Sequence, residues 1–288
     1  MTHKKLSLTG VKLAESEFVI HETEGCIEKS AVDALLDGHL AACRIRHFLS
    51  EEQRKKIINN FWLSPARKPR YGDGIDGVEG YFLGASHIEK TTFEYFEEAE
   101  YFRLAVDQLF QDTINPQIHF INQLTNSQSE HLLQVRPAMH QGRFAGNVKA
   151  VYWNNSGEFL LLPHDDLAQL SDPRQNDFEI QSVKRVMAVN FYAEVPQDGG
   201  QLKVWNIDPD VESRSALGLT HSGFPYPTDS LEEHENMVIE IAPGDLILLN
   251  GNLIHAVLTG NANQLQEKRL LITCFMGVNK DGELIWWT

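Results

Sequence analysis

Two residue pairs in this 288-residue chain have the spacing to chelate one metal ion: His87-Ile88-Glu89 and His164-Asp165-Asp166. With 12 histidines and 40 acidic residues, chance alone gives roughly two such pairs. The surroundings have to decide between them. The second pair closes an apolar run, Phe159-Leu160-Leu161-Leu162-Pro163, and opens a polar segment. At a strand end, side chains two apart project to one face, so His164 and Asp166 can grip one ion while Asp165 points away. A third ligand must come from elsewhere, and His255 in Leu253-Ile254-His255-Ala256-Val257 is the best candidate. Two imidazoles and a carboxylate make a facial triad, which leaves three positions open on octahedral iron(II). Zinc also accepts three such ligands. A zinc hydrolase with Asp165 or Glu158 as general base therefore stands as an alternative, and so does a protein that binds the metal without catalysis. Arg269 opens a further apolar run, Leu270-Leu271-Ile272-Thr273-Cys274-Phe275. Its planar fork matches a carboxylate, with a structural salt bridge as the competing role.

These residues need a rigid frame. From about residue 133 onward, short apolar runs alternate with turn signals, as in an all-β architecture. The expected strands are Val148–Trp153, Glu158–Leu162, Arg185–Val195, Gln201–Trp205, Met237–Ile241, Leu246–Leu249, Ile254–Leu258 and Arg269–Met276. Ala242-Pro243-Gly244-Asp245 has the residues of a type II turn. Residues 1–132 read as a mainly helical support, with helical spacing over 26–60 and 92–124. Ser50 and Gln53 form a capping-box pair there, and Phe93, Phe96, Phe102, Val106, Leu109 and Phe110 mark a core-facing side. Residues 62–84 and 206–236 read as long polar segments that could cover a site, and plain surface connection is the alternative. The chain is read as a single domain of residues 1–288, with the β core in 133–288.

Composition limits the partners. The net charge of −15 repels nucleic-acid phosphates and anionic lipid, so a small-molecule substrate is expected. No apolar run approaches the length of a membrane span. The N-terminus lacks an apolar signal region, and the odd cysteine set of Cys26, Cys43 and Cys274 fits a reducing, cytoplasmic setting. Oligomeric state is not legible.

Four segments together resemble the double-stranded β-helix 2-oxoglutarate oxygenases: Leu162-Pro163-His164-Asp165-Asp166, Gln197-Asp198-Gly199-Gly200-Gln201-Leu202, Pro243-Gly244-Asp245 through His255, and Lys268-Arg269. Within that superfamily, Tyr101-Phe102-Arg103 and the tail from Phe275 to Trp287 are similar to the carrier-protein-independent indole-alkaloid halogenases. The bacterial N-succinyl amino-acid hydroxylases look like neighbours. The resemblance implies a jelly-roll core and three cofactors: iron(II) on His164, Asp166 and His255, 2-oxoglutarate as bidentate co-substrate, and O₂. Arg269 would hold the distal carboxylate of the oxo acid. Those halogenases have glycine where this chain has Asp166, and the glycine opens a coordination site for chloride. The resemblance therefore implies hydroxylation here. Halogenation, desaturation and ring formation are the alternatives on the same scaffold.

A second departure concerns the co-substrate. Many relatives carry Arg-x-Ser, and Leu271 takes the serine position. Thr273, Tyr152 and Asn190 are the candidates to assist Arg269, each with a structural role as the competing reading. The substrate is expected to be an amino acid, an N-acyl amino acid or a natural-product scaffold. Arg70, Arg143, Lys149 and Arg214 could meet an anionic group, with surface solvation as the alternative. Trp153 and Trp205 could wall an apolar pocket, with core packing as the alternative.

Overall fold

The runs at Met187–Glu194, Leu246–Asn250 and Arg269–Val278 are almost unbroken in apolar residues. Such runs belong to strands covered on both faces. In the computed structural model, which describes residues 7–69, 79–126, 134–154, 159–259 and 269–288, they sit at the centre of a ten-stranded sheet. Its order is Ile20–Glu24, Ala42–Arg46, Leu246–Asn250, Met187–Glu194, Arg269–Val278, Lys149–Asn154, Glu79–Leu83 and Lys68–Pro69. Leu284–Trp287 pairs beside Arg269–Val278, and Val135–Pro137 pairs beside Leu284–Trp287. A second sheet has the order Phe159–His164, His255–Leu258, Leu202–Trp205 and Asn236–Ile239. All eight expected strands are present, with ends shifted by up to two residues.

The two sheets face each other as a jelly-roll. Val151, Ala188, Tyr192, Ile247, Leu249 and Leu271 from the large sheet pack with Leu202, Val204, Ile239 and Val257 from the small one. The period-2 alternation of strands sorts the side chains. Along Arg269–Val278, Leu270, Ile272, Cys274 and Met276 turn to the outer core, while Leu271 and Phe275 turn to the interior. Four helices cover the outer face: α1 Lys29–Asp37, α2 Glu51–Leu63, α3 Thr92–Gln108 and α4 Pro116–Asn126. Phe61, Phe102, Phe120 and Phe191 are buried in that layer, each contributing about 1.5–3 kcal/mol by leaving water.

The capping box at Ser50 and Gln53 starts α2 as expected, and an unforeseen one at Thr91 and Glu94 starts α3. Gly244 has φ +98°, and Asp245 N–H donates to Ala242 O at 3.1 Å, which closes the expected turn.

The first third departs from its helical reading. It also supplies five strands, of which Ile20–Glu24, Ala42–Arg46, Lys68–Pro69 and Glu79–Leu83 join the large sheet. The 26–60 stretch breaks because Gly38 ends α1 in the left-handed region, at φ +78°. The 92–124 stretch breaks at Asp112, with φ +58°. There Asn115 Oδ1 accepts from Gln117 N–H at 3.0 Å and starts α4. Phe93 is 69 % exposed and does not join the core face. The 206–236 interval holds α5 Val211–Leu217 and lies against the outer face of the small sheet, with Leu219, Tyr226 and Leu231 packed on Trp205, Ile254 and Ala256. Lys68–Pro69 and Glu79–Leu83 pair as antiparallel arms.

Candidate metal centre and its surroundings

His164 is the last residue of its strand and His255 the first of the next, and the register sets them directly opposite. Their ring centroids are 4.2 Å apart. Asp166 follows two residues later, with Oδ1 3.9 Å from His164 Nε2 and Oδ2 3.5 Å from His255 Nε2. Among the described residues this is the one His/Asp group whose donor atoms all lie within 4.8 Å of one another.

The tautomers follow from the hydrogen bonds. His164 Nδ1 lies 2.8 Å from Leu162 O and His255 Nδ1 2.9 Å from Leu253 O. A carbonyl only accepts, so each Nδ1 carries the proton and each Nε2 offers its lone pair, the usual arrangement around a ligating histidine. Asp166 is 3 % exposed, and its Oδ2 has no hydrogen-bond partner among the described residues. A buried carboxylate oxygen left this way is strongly unfavourable unless a cation meets it. The donor set therefore fits a divalent ion.

Electrostatics agree. Burial, with the positive charge of a protonated His255 nearby, holds the His164 imidazole down at about 4. Burial also lowers His255. Burial, aided by the charge on Asp165, pushes the Asp166 carboxyl up to about 7. A metal must displace that Asp166 proton, whereas the imidazoles are already neutral. Affinity for a divalent metal should therefore rise about tenfold per pH unit up to about pH 7 and flatten above. Metal titrations across pH 5–8 check this, and a flat profile would contradict it.

Gly251 shapes the chelate, and no sequence reading had singled it out. Asp166 N–H donates to Gly251 O at 2.7 Å. A Cβ on Gly251 would stand 2.7 Å from Asp166 Oδ2 and 3.1 Å from Val186 O. Gly251→Ala should thus turn the carboxylate away and weaken metal binding roughly 10–100-fold. Anaerobic metal titration of a folded variant measures this. The Asn250-Gly251 pair was the available signal, as a turn marker just before His255.

Asp165 is spoken for. Its carboxylate accepts from Arg214 Nε and Nη2 at 3.2 Å each, from Tyr226 Oη at 2.7 Å, and from the Leu167 and Ala168 amides at 3.0 and 2.8 Å. A group held so fully is not a free general base, which weakens the hydrolase alternative. Glu158 lies outside the described residues. The other spaced pair is no ligand pair. His87 is buried against Tyr95, Phe275 and Trp287, its Nδ1 donates to Thr288 O at 3.2 Å, and burial pushes it down to about 3.

Arg269 is 1 % exposed. Its Cζ lies 4.9 Å from the Trp153 ring centroid and 5.1 Å from that of Tyr192. Nη2 donates to Tyr192 Oη at 3.3 Å, while Nε and Nη1 have no partner among the described residues. No carboxylate of the described residues pairs with it, so the salt-bridge role does not hold among them. A Cβ on Gly200 would touch Arg269 Cδ at 3.4 Å, and Gly200 N–H donates to Leu258 O, three residues along the strand from His255. Leu258 is about 10 Å of strand from His255, so the arginine lies toward the opposite end of that strand from the triad, an arrangement suited to a short dicarboxylate reaching from ion to guanidinium. Tyr192 stands two residues from the candidate Asn190 on the same strand face, and that period-2 step is the sequence signal for it.

Thr273 Oγ1 donates to Asn190 Oδ1 at 2.8 Å on the interior face, and Thr273 stays half-exposed to that space. Trp153 also faces inward, at the arginine. Three other candidates are corrected. Tyr152 points to the outer layer, 4.9 Å from the Trp62 centroid, because it alternates with the inward Val151 and Trp153. Trp205 faces away from the interior, into the layer under the 206–236 segment. Arg143 is paired with Glu97 of α3 at 2.8 Å on the surface. Arg214 is buried in its ion pairs with Asp165 and Asp208. Lys149 donates to Ser86 Oγ at 3.1 Å. Arg70 lies outside the described residues.

With this geometry in hand, the chain can be set beside known proteins. The family model for the carrier-protein-independent halogenase WelO5 matches residues 17–288. An L-isoleucine 3(1)-dioxygenase of Pantoea ananatis is 29 % identical over 290 residues, covering 98 % of this chain and 96 % of its own. An L-gamma-glutamyl-L-propargylglycine hydroxylase of Streptantibioticus cattleyicolor is 29 % identical over 156 residues, 53 % of this chain and 52 % of its own. Among solved structures, an N-substituted L-amino acid dioxygenase of Burkholderia ambifaria superposes with a TM-score of 0.58 at 14 % identity, covering 90 % of this chain and 91 % of the other. That likeness bears on the fold.

Proposed function

Since the chain belongs to the WelO5 family of carrier-protein-independent halogenases, we propose that it is an iron(II)- and 2-oxoglutarate-dependent dioxygenase that hydroxylates an unactivated C–H bond of an amino acid or N-acyl amino acid. The observation that carries this reading is the third ligand. On the resemblance, Asp166 takes the position of the halogenases' glycine, and its carboxylate and the two imidazoles bring their ligand atoms within 4.8 Å of one another. Chloride then lacks a coordination site, and hydroxylation is favoured over halogenation. The relatives' names, a dioxygenase and a hydroxylase of amino-acid compounds, support the substrate class.

In this reading His164, Asp166 and His255 hold iron(II), and Arg269 takes the distal carboxylate of 2-oxoglutarate. When bound, iron and oxo acid together activate O₂ for attack on the substrate C–H bond, with release of succinate and CO₂. The protein orients and shields. The Leu162 and Leu253 carbonyls hold the imidazoles in their ligating tautomer, and Trp153 and Tyr192 sandwich the guanidinium and keep water from it. Thr273 and Asn190 line the interior between. The whole chain is taken as one oxygenase domain, since the large sheet draws strands from both of its parts. The three unpaired cysteines support a cytoplasmic location. No described helix is long and apolar enough to cross a membrane.

The test starts from metal-free protein kept anaerobic. Iron(II) followed by 2-oxoglutarate should give a weak visible charge-transfer band that needs both additions. An aliphatic amino-acid panel should then drive succinate release under air, with hydroxylated product only, even when chloride or bromide is present. No band, together with tight zinc binding, would return the hydrolase reading to the front.

A further inference from the structure

One aromatic ring beside the triad has no place in any of the four hydrophobic clusters of the described residues: Phe224. It is 41 % exposed, and its ring centroid lies 6.2 Å from that of His164 at a near-perpendicular 67°. We propose that Phe224 is a specificity-determining residue, a wall of the substrate pocket that packs against the aliphatic side chain of the amino-acid substrate. This rests on the substrate class proposed above.

Phe224 comes from the 206–236 segment, yet its position is tied to the chelate itself. Asp165 N–H donates to Gly223 O at 3.0 Å, and Tyr226 N–H donates to Pro163 O at 2.8 Å. These bonds grip both sides of Phe224 and join them to the residues flanking His164. Gly223 has φ +59°, and a Cβ there would stand 2.7 Å from both Asp165 O and Asp165 Oδ2. Only glycine allows so close an approach at that φ. The Asp165 side chain is fully buried and held by Arg214 and Tyr226. The turn is thus locked to the metal ligands through a buried, fully bonded carboxylate, while the one ring it presents stays open.

An exposed aromatic on a rigid turn gains most from burial by an apolar ligand, because little ordering entropy opposes it. The interior offers a facing surface. On the central strand Arg269–Val278, Thr273 and Phe275 are the half-exposed residues among seven otherwise buried ones before Val278. Mid-sheet exposure marks open space above them, and His87 packs against the Phe275 ring edge-on while Trp287, its partner on the neighbouring strand, lies tilted beside it. A small amphipathic molecule admitted beside the triad would have Phe224 on the entrance side and Phe275 on the sheet side.

The experiment uses protein loaded anaerobically with iron(II) and 2-oxoglutarate. Calorimetry gives the Kd for L-isoleucine, L-leucine, L-valine and L-alanine in the wild type, Phe224→Ala and Phe224→Leu. Iron affinity and succinate formation are measured alongside. Phe224→Ala should raise the Kd of the larger aliphatic substrates about tenfold or more, leave L-alanine nearly untouched, and leave iron affinity unchanged. Phe224→Leu should fall between. Equal affinities and an unchanged substrate ranking in both variants would overturn the proposal. So would a parallel loss of iron affinity, which would make Phe224 a prop for His164. If the wild type itself binds none of the panel, the substrate class fails and this inference falls with it. That outcome is separable, because the inference alone fails only when the wild type binds and the variants bind alike.

Discussion

Asp166→Ala is expected to lower iron(II) affinity by at least about 100-fold and to abolish succinate release. Loss of a mere outer-shell partner of a metal ligand typically costs 10–100-fold, and Asp166 supplies the only formal negative charge of the triad. Two neutral imidazoles remain, 4.2 Å apart by ring centroid, with nothing to balance a dication. The fold should survive. Asp166 Oδ2 has no hydrogen bond to lose, and its raised carboxyl pKa shows that the ionised form is disfavoured without metal. Above about pH 7, the metal-free variant should therefore melt no lower than metal-free wild type. Its melting temperature should also lose the rise that iron(II) gives the wild type, since only a bound ligand adds stability by mass action. Anaerobic titration and thermal melts with and without metal check both halves. His255→Ala should lose affinity likewise. Normal metal affinity in either variant would refute the ligand assignment.

Arg269→Ala is expected to raise the 2-oxoglutarate requirement sharply while sparing iron. Truncating one partner of a buried charged contact costs about 2–5 kcal/mol, which corresponds to roughly 30- to several-thousand-fold in the apparent KM for 2-oxoglutarate. Iron affinity should stay within experimental scatter, because the guanidinium sits at the Gly200 end of the barrel, away from the triad. Arg269→Lys should recover only part. An ammonium can meet a carboxylate, but it cannot present a flat two-donor edge or fill the slot between Trp153 and Tyr192. The diagnostic pattern is a large KM change at constant iron affinity, with the charge-transfer band appearing only at high 2-oxoglutarate. An unchanged co-substrate dependence would reduce Arg269 to a structural role.

Much of this centre was legible before any coordinates. The His164 and Asp166 spacing at the end of an apolar run, the lone His255 at the head of another and Arg269 at the head of a third follow from residue type and period alone. So did the eight core strands, because turn residues punctuate them: Pro243-Gly244 before one, Gly199-Gly200 before another. Where the readings failed, the reason lies in what alternation cannot encode. Tyr152 and Trp205, aromatic residues on sheet strands, each have a structural or packing role as the alternative to a place at the site in the interior. Both face away from it, because each sheet is covered on its outer side as well, by α2 at Tyr152 and by the 206–236 segment at Trp205. A strand buried on both faces shows no polar side to orient it.

Residue types and their spacing mark which side chains could bind a divalent ion and a dicarboxylate, and the resemblance adds that a carboxylate takes the halogenases' glycine position. Packing of the two sheets sets His164 opposite His255, leaves room at Gly251 for Asp166, makes Asp165 an anchor for Arg214 and Tyr226, and stands Phe224 beside the triad. These are contacts between residues 49 to 91 positions apart. Local propensity is silent on such pairs, because register and packing between sheets are settled only when both faces of the barrel are buried at once.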